Sequence, residues 1–383
     1  MTSLELLNKL ISYPTVSRDS NLALISFIQE YLQQHGHPSE LIYSEDKNKA
    51  NLYCVIGPAD KPGVMLSGHT DVVPVEGQQW SGDPFTMREQ NGLLLGRGSC
   101  DMKGFIACVL SMVASLDGNQ LQTPLHLAFS YDEEIGCIGV RRLIDTLQPV
   151  KVKPKYCLVG EPTLMQPVIA HKGKTAARAH CHGIECHSSL APQSVNAIYL
   201  ATALINEIQS VQQRYIEQGP HDHDYDVSHT TLHVGTINGG TALNIVPNLC
   251  RFDFEIRNLP CDDPAQIISD LKARALENTA PLKKQHPDVK IDIEITNEYP
   301  ALNTNTESDI VEFVRQLTGA NTLGKIAFGT EGGLFSRDLG VETIVMGPGS
   351  IEQAHKPDEY ISINQLDRCD TFLKKLVDAL SNA

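Results

Sequence analysis

The sequence predicts an α/β protein: a three-layer α/β/α catalytic domain interrupted by a smaller ferredoxin-like α+β domain. Three observations carry this. Short apolar runs such as Val64-Met65-Leu66 and Tyr156-Cys157-Leu158-Val159 do not alternate, as expected of strands buried on both faces. Segments of helical spacing lie between them, which is the pattern of a mostly parallel sheet. From Lys174 to about Tyr299 the strands alternate instead, and the element order becomes β-α-β-β-α-β, which is ferredoxin-like.

Taken in order, residues 4–11 and 21–34 have helical apolar spacing, the second through Leu24, Phe27, Ile28 and Tyr31, with Pro14 breaking between them. Strands are expected at Asn51–Gly57, Val64–His69, Leu125–Tyr131, Tyr156–Gly160, Gly324–Phe328 and Thr343–Gly347, and helices at 102–116, 136–147, 308–318 and 363–380. In the last helix Leu366, Cys369, Phe372, Leu373, Leu376, Val377 and Leu380 form one stripe. Within the middle segment, Ala176–His182, Thr231–Ile237, Leu249–Arg257 and Val289–Thr296 read as strands, and Val195–Tyr215 and Pro264–Leu276 as helices. The expected layout is a catalytic domain of residues 1–175 plus 300–383 and an insert of residues 176–299.

At 383 residues the chain is long enough for two domains with sizeable cores. Hydrophobic residues make up 41% and charged residues 20%, which excludes a disordered chain. The 46 acidic residues outnumber 31 basic ones, a net charge of −15, which argues against nucleic acid or an anionic membrane as partner. No apolar run approaches the roughly 18 residues of a membrane span, and the N-terminus lacks the basic and apolar regions of a signal peptide. Ten cysteines in that setting read as reduced thiols of a cytoplasmic protein, and no C-x-x-C pair suggests a structural zinc. The polar run His221-Asp222-His223-Asp224 reads as a solvated loop.

Five short segments carry chemistry. In Gly68-His69-Thr70-Asp71, extended geometry places His69 and Asp71 on one face, so the carboxylate can hold one ring nitrogen while the other binds a metal; a core histidine beside a turn aspartate is the plain alternative. In Gly96–Gly104, Asp101 either caps the following helix or serves as a ligand. Asp132-Glu133-Glu134 ends an apolar strand, where three neighbouring carboxylates need a cation or water unless they form an acidic first helical turn. Glu161 follows a buried strand, where α/β sheets bind ligands, and His355 lies in a Gly/Pro-rich loop after another strand. Singly these are weak. Jointly they place two imidazoles and several carboxylates at one edge of a sheet, a donor set that suits a hydrolytic zinc or cobalt site. A bridging carboxylate would hold two ions about 3.5–4 Å apart.

The segments Ser67–Pro74, Trp80 with Asp83-Pro84-Phe85, Gly96–Gly104, Asp132–Glu134, Gly160–Thr163, Gly183–His187 and His355 span nearly the whole chain. In order and spacing they resemble the co-catalytic zinc amidohydrolases, a superfamily of deacetylases, desuccinylases, aminoacylases and carboxypeptidase-G-type enzymes. Ala170–Gly173, His187-Ser188-Ser189, Val195–Ile198 and Gly347–Tyr360 are more similar to its deacetylases than to its desuccinylases. The resemblance implies two Zn²⁺ (or Co²⁺) ions, with His69 and Glu161 on one, Glu134 and His355 on the other, and Asp101 bridging. It implies Glu133 as general base and Asp71 orienting His69. His187 on the insert would stabilise the oxyanion in the partner subunit of a homodimer formed through the lid, and Asn244 and Arg257 would bind a small-molecule substrate. Glu331, in Gly329-Thr330-Glu331-Gly332-Gly333, is expected as an acid on a flexible loop that meets the substrate's δ-ammonium, although that segment matches the family only loosely.

Overall fold

The structure, a computed structural model, describes residues 1–382; residue 383, the last of the expected catalytic segment, lies outside the described residues. The N-terminal part runs α1 (Ser3–Ile11), α2 (Leu22–Gln34), β1 (Ser39–Tyr43), β2 (Ala50–Ile56), β3 (Val64–His69), β4 (Arg88–Gln90), β5 (Leu93–Leu95), α3 (Lys103–Val113), β6 (Leu125–Ser130), α4 (Gly139–Leu147), β7 (Tyr156–Pro162) and β8 (Val168–His171). The middle part is β9 (Gly173–His182), α5 (Ala197–Gln218), β10 (Thr231–Gly239), β11 (Leu249–Asn258), α6 (Pro264–Thr279) and β12 (Lys290–Tyr299). The C-terminal part is β13 (Leu302–Asn303), α7 (Asp309–Thr318), β14 (Gly324–Ile326), α8 (Gly332–Leu334), β15 (Glu342–Gly347), β16 (Tyr360–Ser362) and α9 (Ile363–Asn382).

The chain divides into two compact units: Met1–Ala170 with Leu302–Lys325 and the segment from Thr330 onward, and His171–Ala301 with Ile326–Gly329. In the first unit, nine strands form a sheet of order β1-β2-β6-β3-β7-β15-β8-β13, with β14 beside β8. Its centre, β6-β3-β7-β15, is parallel, and every residue of β3 and β6 is buried, which is why these runs do not alternate. Because the central strands are parallel, their carboxyl ends align: His69 is opposite Ser130, and Gly347 opposite Pro162. A small sheet of order β16-β5-β4 joins the chain before Gly96 to the chain after Glu359, so two motifs about 260 residues apart in sequence meet. Local chemistry agrees with this fold. A capping box between Thr2 and Glu5 starts α1, and α1 buries Leu6, Leu7, Leu10 and Ile11.

The second unit has an antiparallel sheet of order β10-β11-β9-β12, the arrangement of a ferredoxin-like fold. Along β9, alternate residues Ala177, Ala179 and Cys181 are buried. They share a core with Phe252, Phe254 and Ile256 of β11 and with Leu204 of α5 and Leu271 of α6. Asn196 and Asp263 cap the two helices, and Pro264 opens α6. Among the described residues no helix is long and apolar enough to cross a membrane.

Candidate metal centre

Six side chains converge where the parallel strands end, each placed by its own element. His69 is the last residue of β3, and Glu161 lies near the end of β7. Glu133 and Glu134 follow β6 through Asp132, whose backbone is left-handed (φ +54°); aspartate tolerates this better than most residues. Asp101 lies in the turn before α3, and His355 (φ +62°) lies in the loop after β15.

Asp101 stands between the two imidazoles. Its Oδ1 is 2.9 Å from His69 Nε2 and its Oδ2 is 3.2 Å from His355 Nε2. On the outer sides, Glu161 Oε1 is 3.6 Å from His69 Nε2, and Glu134 Oε2 is 3.1 Å from His355 Nε2. The cluster thus has two halves, His69 with Glu161 and His355 with Glu134, sharing one carboxylate. A carboxylate oxygen of Glu133 joins the His69–Glu161 half, with donor atoms within 4.8 Å of one another.

Four carboxylates here face only two imidazoles. Burial pushes Glu133 and Glu161 well above the usual carboxylate range, and pushes Glu134 up to about 7, with repulsion from neighbouring carboxylates adding to it. Burial acts the same way on Asp101, but hydrogen bonds from His355 and His69 outweigh it and hold that carboxyl low. The carboxylates in turn pull His355 up to about 11, the bond to Asp101 foremost. Glu134 Oε1 is buried with no hydrogen-bond partner. A surplus of converging carboxylate oxygens, one of them unpaired, with imidazole nitrogens and no thiolate, fits hard to borderline divalent cations.

A second layer holds these groups, and most of it was not singled out from the sequence. Asp71 accepts hydrogen bonds from the backbone N–H groups of Glu133 (3.1 Å) and Glu134 (3.3 Å) and from Ser17 Oγ (2.8 Å). The expected bond from His69 to the Asp71 carboxylate differs in detail. His69 Nδ1 donates to the backbone carbonyl of Asp71 at 2.9 Å, with the carboxylate at 3.5 Å. Glu359 accepts from the N–H groups of Cys100 and Asp101 (2.9 and 3.1 Å) and pairs with Arg97 at 2.7 Å, both side chains 1% exposed. Arg97 also packs on Trp80 and donates to Gln78, whose amide donates to the backbone carbonyl of His355 (2.8 Å). One buried ion pair therefore reaches both Asp101 and His355. The available signal was a charged residue inside each of two glycine-rich motifs.

Two readings of the sequence are corrected. The helix-capping alternative for Asp101 does not hold: α3 starts at Lys103 after Met102, with no side-chain cap. Nor is Glu331 on a flexible loop. It is 1% exposed, opens α8, and accepts from Ser67 Oγ at 3.2 Å. Burial pushes its carboxyl up to about 7.

His187, Asn244 and Arg257 belong to the second unit. The first two are neighbours and exposed: His187 bridges Ile245, and the N–H of Ser188 donates to the carbonyl of Asn244. His187 Nδ1 is 2.8 Å from Ser189 Oγ. Arg257 is elsewhere, forked onto Glu255 and donating to the Tyr299 hydroxyl at 2.8 Å. It sits eight residues beyond Leu249 along β11, roughly 26 Å at strand rise.

Residues 65–379 match the profile of the peptidase family M20/M25/M40. The chain belongs to that family. It is 31% identical over 376 residues to an acetylornithine deacetylase of Myxococcus xanthus, covering 97% of this chain and 95% of the relative. It is 32% identical to one of Proteus mirabilis, covering 98% and 96%. Among solved structures it superposes on an M20 family metallo-carboxypeptidase of Sulfolobus solfataricus with a TM-score of 0.77 at 18% identity, covering 100% and 99% of the two chains. A dinuclear metal-binding M20 peptidase of Bacillus subtilis gives 0.69 at 14% identity, covering 99% and 98%. As a member of the M20/M25/M40 family, similar to acetylornithine deacetylases over nearly the whole of this chain, it is an enzyme, a metal-dependent amidohydrolase with the α/β fold expected from its sequence.

Proposed function

We propose that this enzyme hydrolyses N2-acetyl-L-ornithine to L-ornithine and acetate, a step of arginine biosynthesis, with two Zn²⁺ ions (Co²⁺ as substitute), as a cytoplasmic homodimer joined through the second unit. The observation that carries it is the two-halved cluster sharing Asp101. His69 and Glu161 would hold one ion, His355 and Glu134 the other, and Asp101 both. When bound, such ions supply Lewis acidity toward the acyl carbonyl and ease ionisation of water.

The chain's own groups do the rest. Glu133, whose affinity for a proton is raised by burial, takes the proton of the attacking water and passes it to the leaving amine. Asp71 holds Glu133 and Glu134 through their backbone N–H groups. His187 donates to the developing oxyanion, Asn244 assists it, and Arg257 grips the substrate carboxylate in a fork. His187 and Asn244 lie beyond the Leu249 end of β11, and the strand from Leu249 to Arg257 alone is longer than a small substrate. That favours His187 and Asn244 acting from the partner subunit and Arg257 from its own.

A panel of N-acetylornithine, N-acetylmethionine, N-succinyl-diaminopimelate and dipeptides, assayed for kcat/KM, tests the reading. It predicts that acetylornithine leads by about 10-fold or more, the scale of one charge-recognising contact. A flat profile would instead mark a broad aminoacylase, and a lead for another acyl group would mark a desuccinylase or dipeptidase.

A further inference from the structure

Four residues beyond Glu133, the backbone takes a disfavoured form. Cys137 has φ +55°, a left-handed conformation that suits glycine or asparagine far better than cysteine. It closes a tight turn in which the N–H groups of Gly136 and Cys137 both donate to the Glu133 carbonyl at 2.8 Å, and that of Ile138 donates to the Asp132 carbonyl at 3.0 Å. None of these bonds needs a side chain at 137, and glycine would make them with less strain. What cysteine adds is a buried thiol whose Sγ lies 3.4 Å from Glu133 Oε1.

We propose that Cys137 is a positioning residue for the general base: its S–H donates to Oε1 of Glu133, fixing the carboxylate rotamer and leaving the other oxygen to take the proton of the attacking water. Burial, then the nearby carboxylates Glu133, Glu331 and Glu161, push the thiol well above its ordinary range, so the sulfur keeps the hydrogen the contact requires. A thiol is a weak donor. It orients the carboxylate while taking little from its basicity, which a stronger donor would lower. The inference rests on Glu133 being the base, and it adds a residue that acts through it.

Three substitutions separate orientation from packing. Cys137→Ala and Cys137→Gly should each lower kcat about 10-fold, the scale of one hydrogen bond to a charged group, with KM for acetylornithine and metal content unchanged. Cys137→Gly should melt at or above the wild-type temperature, because its backbone strain is relieved. Cys137→Ser, which restores a donor, should stay within about 3-fold of wild type. Wild-type kcat in the alanine and glycine variants, or losses that track melting temperature or metal content, would overturn the proposal. An infrared difference spectrum, wild type minus Cys137→Ser, reads the contact without turnover. The S–H band should lie at lower frequency than a free thiol and return to it in Glu133→Ala. An unshifted band with normal hydrolysis removes the role of Cys137 alone. A shifted band in an enzyme that hydrolyses none of the panel leaves the contact standing and removes the functional reading.

Discussion

The metal cluster and the candidate substrate groups of the second unit are held in opposite ways. Around the cluster, anchoring comes from far away in sequence: Glu359 reaches the N–H groups of Cys100 and Asp101, and Asp71, itself held by Ser17, reaches the segment after β6. The side chains of His187 and Arg257 are held mainly by residues two positions away, Ser189 and Glu255, with a backbone bridge from His187 to Ile245 and the Tyr299 hydroxyl on Arg257 as more distant partners. Metal chemistry tolerates little displacement, so its ligands are cross-braced before anything binds, and all but the half-exposed His355 are largely buried. Groups that must admit and release a substrate gain from weaker, local restraint. The comparison predicts that breaking the first region costs stability and metal along with rate, whereas breaking the second costs rate or KM alone.

The largest effect is expected at the base, the one exception within the first region: Glu133 is the proposed proton carrier rather than a proposed ligand, so its loss should fall on rate. Glu133→Ala should lower kcat by about 10³-fold or more while metal content stays at wild-type level; turnover within 10-fold of wild type, measured on metal-analysed protein, would remove Glu133 from that role. Next comes the buried pair. Replacing Arg97 by Met leaves Glu359 buried and unpaired, which should cost about 3–5 kcal/mol in denaturant unfolding and weaken metal retention, since Asp101 and His355 both depend on it. A change below 1 kcal/mol would mean the pair is not the brace described. In the second region, His187→Ala should lower kcat about 10²-fold with unfolding unchanged. Mixed dimers of that variant with an Asp101→Asn chain should recover part of the activity if His187 acts across subunits.

A smaller effect concerns pH. His126 and His171 are buried, and burial holds each imidazole down at about 4. The unfolded chain takes up these protons near 6.5 and the folded one does not. Their contribution is therefore full above about pH 6.5 and is lost as pH falls toward 4. Between pH 7 and 5 these two imidazoles should together contribute a loss of roughly 3–4 kcal/mol, and His126→Gln should remove about half of that contribution from the pH slope measured by chemical denaturation. An unchanged slope would show that His126 protonates freely in the folded state.

The same division explains what could be read from the sequence. His69, Glu134 and Glu161 were legible because each sits at or just past the end of a parallel strand, and parallel strands bring such ends together. Asp101 was ambiguous alone because a helix cap and a ligand look alike in sequence; only the approach of His355, 254 positions away, separates them. For Arg97 and Glu359 the local signal was only a charged residue within each motif, and their role appears only when each meets the other across the small β16-β5-β4 sheet. Glu331 was misread for a related reason. Glycines on both sides suggest mobility, but here Thr330, Gly332 and Gly333 are buried with it, and packing rather than glycine content decides mobility. Cys137 was invisible because its meaning lies in a backbone angle.

The central claim is that Asp101 joins two metal-binding halves. Metal content per chain, measured with activity on the same samples of wild type, Glu161→Ala and Asp101→Asn, tests it most directly. Two ions in the wild type, one in Glu161→Ala, and fewer than one with no hydrolysis in Asp101→Asn are predicted. A single ion in the wild type, or two retained by Asp101→Asn with near-normal turnover, would contradict it.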